Sequence, residues 1–126
     1  MSNEPSTPYT VYTAIIDQLV NQTSRGLSER MVRESGVHSN APWHDEMNKF
    51  VFPLDRAQRN TLADMLKQER IGAIHDVLAV LTWWMTCRDV QLTFRGQPMP
   101  KGVEGGLHYD YIGRLQDWEW PKEPPR

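Results

Sequence analysis

DRAQRNTLADMLKQERIGAIHDVLAVLTWWMTC, residues 55–87, is the one stretch long and periodic enough to serve as a spine. Asp55 is placed to cap it, and Leu54 just before can pack back onto the first turns. Ala57, Thr61, Leu62, Met65 and Leu66 recur at three- and four-residue spacings, while Arg56, Arg59, Asp64, Lys67 and Gln68 fall largely on other faces. That is a surface helix with one side covered. From Ile71 onward the polarity drops. Ile74, Val77, Leu78, Leu81, Trp84 and Met85 fill one face and Ala73, Ala79, Val80 and Trp83 leave little polar surface on the others, so this half is expected in the core or in a subunit interface. Gly72 stands between the halves. It either ends a first helix, with Lys67 and Arg70 in the last turn, or bends a single one; no Ser, Thr, Asp or Asn follows to cap a second helix, which favours one helix bent at Gly72. A mid-helix glycine costs up to about 1 kcal/mol against alanine, which close approach by another element or a ligand would offset.

Toward the N-terminus, Thr7 or Thr10 starts a helix through Gln22, with Val11, Ile15 and Leu19, joined by Tyr12 and Ile16, on its apolar face. LSERMVRES, residues 27–35, follows, capped by Ser28 or begun nearer Ser24, and Gly36 stops it; the two helices make an αα-hairpin. VHSNAPWH, 37–44, lacks periodicity and is a loop. DEMNKFVF places Met47, Phe50 and Val51 at helical spacing before Pro53 interrupts. Beyond the spine, Val90, Leu92 and Phe94 alternate with Gln91, Thr93 and Arg95, the period of a half-buried strand. Residues 96–108 carry four glycines and two prolines and form a loop, in which GVEGG, 102–106, is a flexible turn. The strand's partner is sought around Tyr109 and Tyr111 or around Trp118 and Trp120. DYIGRLQDW also fits a helical turn, with Ile112, Leu115 and Trp118 at three-residue intervals, and the two alternatives stay open. The fold expected is mainly α: a compact domain of about four helices with a small C-terminal β hairpin or two-stranded sheet, spanning 9–121 between tails at 1–8 and 122–126.

At 126 residues the chain suits one core and is short for two ordinary domains. A formal charge of -2, from 14 basic and 16 acidic side chains, speaks against nucleic acid and anionic membranes as partners, since both need concentrated basic surface. No run approaches the roughly 20 apolar residues of a spanning helix, and the N-terminus has no basic segment leading into an apolar one. Cys87 is the sole cysteine. It allows no internal disulfide and no thiolate zinc site, fits a cytoplasmic setting, and is expected as a small buried side chain at a helix end. Of the large aromatics Trp43, Trp83, Trp84, Tyr111 and Trp118, most are expected in the core, leaving one or two outside.

Candidate chemistry starts from the pairs His44-Asp45 and His75-Asp76 and from His108-Tyr109-Asp110, with His38 a fourth imidazole. Imidazole and carboxylate suit a divalent metal such as zinc, iron or manganese. The pattern is similar to that of metal-dependent phosphohydrolases, which would put His38 or His44, His75, Asp76 and Asp110 around the ion, with a metal-bound water as nucleophile. Against it, adjacent helix residues point about 100° apart, so His75 and Asp76 do not converge by default. Glu69 and Asp76, seven residues apart, instead form a narrow acidic stripe across Gly72, fit to accept an Arg or a backbone amine. There is no GxSxG, phosphate loop, HExxH or CxxC, and no cofactor is implied. HYDYIGRLQDWEW combines aromatics with charge, and Arg114, Trp118 and Trp120 are its candidate interface anchors.

TVYTAIIDQLV, SERMVRESGV, IHDVLAVL, LTFRGQPMP and DYIGRLQDWEW together resemble a small family of uncharacterised bacterial proteins of about this length. The resemblance covers most of residues 9–121 and implies no activity and no family site residues. The expectation is therefore a protein-binding or regulatory protein, of adaptor or immunity type, recognising its partner through Glu69, Asp76, Arg114, Trp118 and Trp120. The alternatives are the metal-dependent hydrolase and a homodimer burying Trp83 and Trp84 between subunits.

Overall fold

The computed structural model describes residues 4–124, so the extremities of both expected tails, 1–3 and 125–126, lie outside the described residues. The chain is mainly helical. Helices α1 (Pro8–Thr23), α2 (Leu27–Ser35), α3 (Asp45–Val51) and α4 (Arg56–Cys87) are followed by strands β1 (Thr93–Phe94) and β2 (Gln97–Pro98) and by helix α5 (Leu107–Leu115). Residues Pro42–His44, within the segment expected as loop, form a 3-10 turn leading into α3.

Local chemistry explains most boundaries. Thr7 caps α1: its hydroxyl accepts from the Thr10 N–H at 3.1 Å and its carbonyl from the Val11 N–H at 2.9 Å. Pro8 then occupies the first helical position, where its missing N–H costs nothing. At α2 neither Ser28 nor Ser24 is the cap. Gly26 takes that place without a side-chain bond, and Gly36, at φ +69°, ends the helix in the left-handed conformation glycine favours. Asp55 and Gln58 form a reciprocal capping box at α4. The Gln58 N–H reaches Asp55 Oδ1 at 2.8 Å, and the Asp55 N–H reaches Gln58 Oε1 at 3.0 Å.

The 32-residue α4 runs unbroken through Gly72. A Cβ built at Gly72 would meet nothing within 4 Å, so no neighbouring element approaches that glycine. The half beyond it is not uniformly buried as its composition suggests. Leu78, Thr82 and Met85 point inward, whereas Val77 (61% exposed), Val80, Trp83 and Trp84 face outward. Cys87 is exposed as well. Of the five aromatics expected mostly in the core, Tyr111 alone is fully buried; Trp118 is half-buried and Trp43 is 81% exposed.

The strand's partner is the next segment along the chain, not the later aromatics. Thr93 pairs with Pro98 and Phe94 with Gln97, antiparallel. Arg95 (φ +50°) and Gly96 (φ +79°) make the tight connection, positive φ at both central residues being the signature of a twist-compatible two-residue turn. The expected strand over 90–95 is thereby reduced to two paired residues, Thr93 and Phe94. Residues 107–115 resolve as helix, freed from any pairing role. The end of α5 is a Schellman motif in which Asp117, at φ +60°, holds the usual glycine position. The Trp118 N–H bonds the Gly113 carbonyl at 2.9 Å and the Asp117 N–H the Arg114 carbonyl at 3.2 Å.

Packing divides the chain into two compact units. One is Gln22–Gly72; the other takes the chain on either side of it. In the Gln22–Gly72 unit Val32, Val51 and Ala63 form the core with Leu62 and Leu66 against them. Arg70 donates to the Thr23 carbonyl at 2.9 Å and to Glu29 at 3.3 Å, and Arg33 pairs with Asp64 at 2.9 Å. Asn48 orders the loop before α3: its Oδ1 accepts from the His38 and Ser39 N–H groups and its Nδ2 donates to the Ser39 carbonyl. The second unit holds buried Tyr12, Ile16, Leu78, Met85, Leu107 and Tyr111.

Because Gly72 is helical, makes no close contact and has no need of a special φ, Gly72→Ala should stabilise the protein by about 0.5–1 kcal/mol. Urea denaturation of the two proteins measures this; a loss of stability would show that glycine is required there.

Candidate functional site

The site lies in the unit containing the two chain ends and is built around a carboxylate. Asp110, in the first turn of α5, is fully buried. It accepts from the Tyr12 hydroxyl of α1, from the Val103 N–H at 2.7 Å and from the Glu104 N–H at 2.9 Å. Burial followed by the hydrogen bond to Asp110 pushes the Tyr12 phenol well above its ordinary pKa, so it stays neutral and donates. The loop 102–106 is therefore not a free turn. A Cβ at Gly102 would come within 2.4 Å of the Gly106 backbone, and both residues have positive φ, so two glycines let the loop fold onto itself and offer its amides to the carboxylate. Thr82 completes the frame: its hydroxyl donates to the Leu78 carbonyl at 2.8 Å and accepts from the Leu107 N–H at 3.0 Å, pinning the start of α5 to α4.

Beside this frame is an apolar groove of about 430 Å³. Helix α1 supplies Tyr12, Ile15, Ile16 and Leu19, residues that share one helical face. Ala73, Ile74, Val77, Leu78 and Leu81 of α4 form the opposite wall, and Leu92, Met99 and Leu107 close it. Its floor, including Ile16 and Leu78, is buried, while Ile15, Val77 and Leu81 at the rim are open to solvent. The lining is apolar throughout, since the one hydroxyl among these residues, that of Tyr12, is turned to Asp110.

The expected anchors lie elsewhere. Arg114 Nε donates to Asp17 Oδ1 at 2.7 Å, and its guanidinium also donates to the Trp118 carbonyl. Trp120 Nε1 donates to the same Asp17 carboxylate at 3.1 Å, and its ring packs edge-on against Tyr12 and Trp118. Arg114, Trp118 and Trp120 thus fasten the end of the chain onto α1. Glu69 and Asp76 are both exposed on α4, with the open Gly72 between them in sequence. Asp76 touches His75 at 3.2 Å, and the His75 ring meets that of His108 edge-to-face with centroids 5.2 Å apart. His38 and His44 meet similarly in the other unit, at 5.1 Å. Asp110 is taken up by its three donors. Among the described residues no group of three or more His, Cys, Asp or Glu is gathered as a metal ion requires. Neither the groove nor the role of Asp110 is legible from residue spacing; the one local hint is an acidic residue in the first turn of α5, where the helix dipole favours it.

The model of one protein family matches residues 5–122. The chain belongs to DUF6547, a family of unknown function. The match takes in every residue of the Asp110 frame and of the groove. No curated protein and no solved structure matches the chain.

His108 is the titrating group of the frame. Burial first, and then the neighbouring His75, hold its pKa below the ordinary 6.5, with Asp110 opposing. The unfolded chain therefore takes up the proton near pH 6.5 and the folded one only at lower pH. The contribution of neutral His108 to stability is complete above 6.5 and is lost as pH falls through the folded value. Urea denaturation at about pH 7.5 and about pH 5.5 should show a smaller acid-induced loss in His108→Gln than in the wild type; equal losses would contradict the assignment.

Proposed function

We propose that this protein acts by binding, and that its recognition element is the apolar groove between α1 and α4. The observation that carries the proposal is an open cavity of about 430 Å³ whose lining is apolar throughout. This volume falls within the range of small-molecule sites. Leaving such a surface wet costs on the order of 25 cal/mol for each Å² that an occupant would cover, so the groove favours an apolar guest. A peptide in extended form is a poor guest, because the walls offer nothing to pair with its amides. The Arg114, Trp118 and Trp120 cluster is better suited to holding the chain end than to meeting a partner, since its polar groups are already engaged.

The test is binding of the neutral, environment-sensitive dye Nile red. Ala73 and Leu81 line the groove from solvent-exposed positions on α4, so Ala73→Trp should fill it and Leu81→Glu should make it polar without disturbing the helix. Each should weaken dye binding by about tenfold or more at unchanged helical circular dichroism. Dye binding that survives both substitutions would refute the groove as the site.

A second reading follows from the outward strip of α4. Trp83 and Trp84 are 48% and 47% exposed, with rings 5.2 Å apart, and Val80 adjoins them. Contiguous exposed aromatics favour a protein contact, and a second copy of the chain is the simplest partner. Sedimentation at micromolar concentration should give a dimer that Trp83→Glu with Trp84→Glu converts to monomer; a wild-type monomer at that concentration would eliminate this reading.

A further inference from the structure

At Met99 the apolar groove meets a second cavity, of about 700 Å³. Its walls include Tyr9, Pro98 and Pro100, and two exposed lysines, Lys101 and Lys122, stand in it. Neither lysine makes an ion pair with a described residue. One helix side runs through both spaces: Tyr9 lines the basic cavity, and Tyr12, Ile16 and Leu19 line the apolar one. These four residues cover about 15 Å of α1 at the helical rise per residue. Among the described residues Met99 is common to both linings, and its unbranched, adaptable side chain suits a boundary that yields to a ligand.

From this arrangement we infer that the occupant is a fatty carboxylate, a single unbranched hydrocarbon chain with an anionic head. The claim rests on the groove being the binding site and adds to it the identity of the guest. The hydrocarbon lies along α1, where no wall group asks for a hydrogen bond, and the carboxylate sits in the second cavity between Lys101 and Lys122. Two uncompensated cations at one end of an apolar trough complement this distribution of charge. A cationic amphiphile is repelled at the same place. A neutral alcohol gains the chain contacts alone, and a peptide gains neither the head contact nor pairing for its backbone.

Isothermal titration calorimetry with decanoate, dodecanoate and tetradecanoate, each below its micelle concentration, tests the inference against dodecanol and dodecyltrimethylammonium. One molecule should bind per chain, and each two added methylenes should tighten binding about tenfold until the trough is filled. Dodecanoate should bind about fivefold tighter than dodecanol, the modest gain expected of exposed ion pairs. Lys101→Glu with Lys122→Glu should abolish that preference and leave dodecanol binding unchanged. Ala73→Trp should weaken both ligands. Equal affinity for dodecanoate and dodecanol in the wild type would overturn the fatty carboxylate while leaving the groove as a binding site. Failure of either ligand to bind, together with Nile red binding that ignores Ala73→Trp, would overturn both claims.

Discussion

The unit that holds the groove depends on one buried carboxylate. Taking an ionised Asp110 out of water is costly unless its lone pairs are met, and here they are met by a phenol and two loop amides. Hydrogen bonds to a charged acceptor are each worth about 1.5–3 kcal/mol, more than ordinary ones. Position helps as well, because Asp110 lies in the first turn of α5, where the helix dipole favours negative charge. The three donors come from α1 and from the loop before α5, so one side chain joins segments that are 98 residues apart. That linkage fixes Tyr12 and Leu107, two of the residues that floor the groove.

A second carboxylate acts differently. Asp17 is only partly buried, and it is met by a guanidinium and an indole N–H rather than by backbone. The Arg114 guanidinium also lies 5.6 Å from the Trp120 ring centre, so its charge is shared between a carboxylate and an aromatic face. Asp117 in its left-handed conformation turns the chain out of α5 and sends Trp118 back across Gly113, against which its indole packs. The two acidic anchors on the chain end thus divide the work. Asp110 sets the depth of the frame and Asp17 holds the aromatic tail over it.

Much of this architecture was legible from residue spacing. The α4 spine, its Asp55 cap and the Gly36 stop are local features, decided by side chains within a few positions of one another. The small two-stranded sheet follows from the sequence, but its second strand does not, because Arg95-Gly96 lacks the Asn-Gly or Asp-Gly pair that advertises such a turn. The aromatic cluster has a structural role that spacing does not show. Arg114, Trp118 and Trp120 have the composition of an exposed interface anchor, and that composition serves equally to bind a chain's own helix when a carboxylate such as Asp17 stands opposite. Which of the two occurs depends on contacts about 100 positions away in sequence, and periodicity carries no information at that range.

The same limit bears on the apolar half of α4. A run with almost no polar face is compatible with a core, a ligand groove and a subunit contact, and this helix uses neighbouring residues for different ends. Leu78 and Met85 are buried, Val77 and Leu81 edge the groove, and Trp83 and Trp84 look outward. Successive residues diverge by about 100°, so the 15 positions beyond Gly72 suffice to present all these surfaces on one rod. A purely structural helix would gain solubility from polar residues at Val77, Val80 and Trp83, at no loss to the packing beneath. Their apolar character is what the proposed contacts would use, Val77 at the edge of the groove and Val80 and Trp83 on the tryptophan strip.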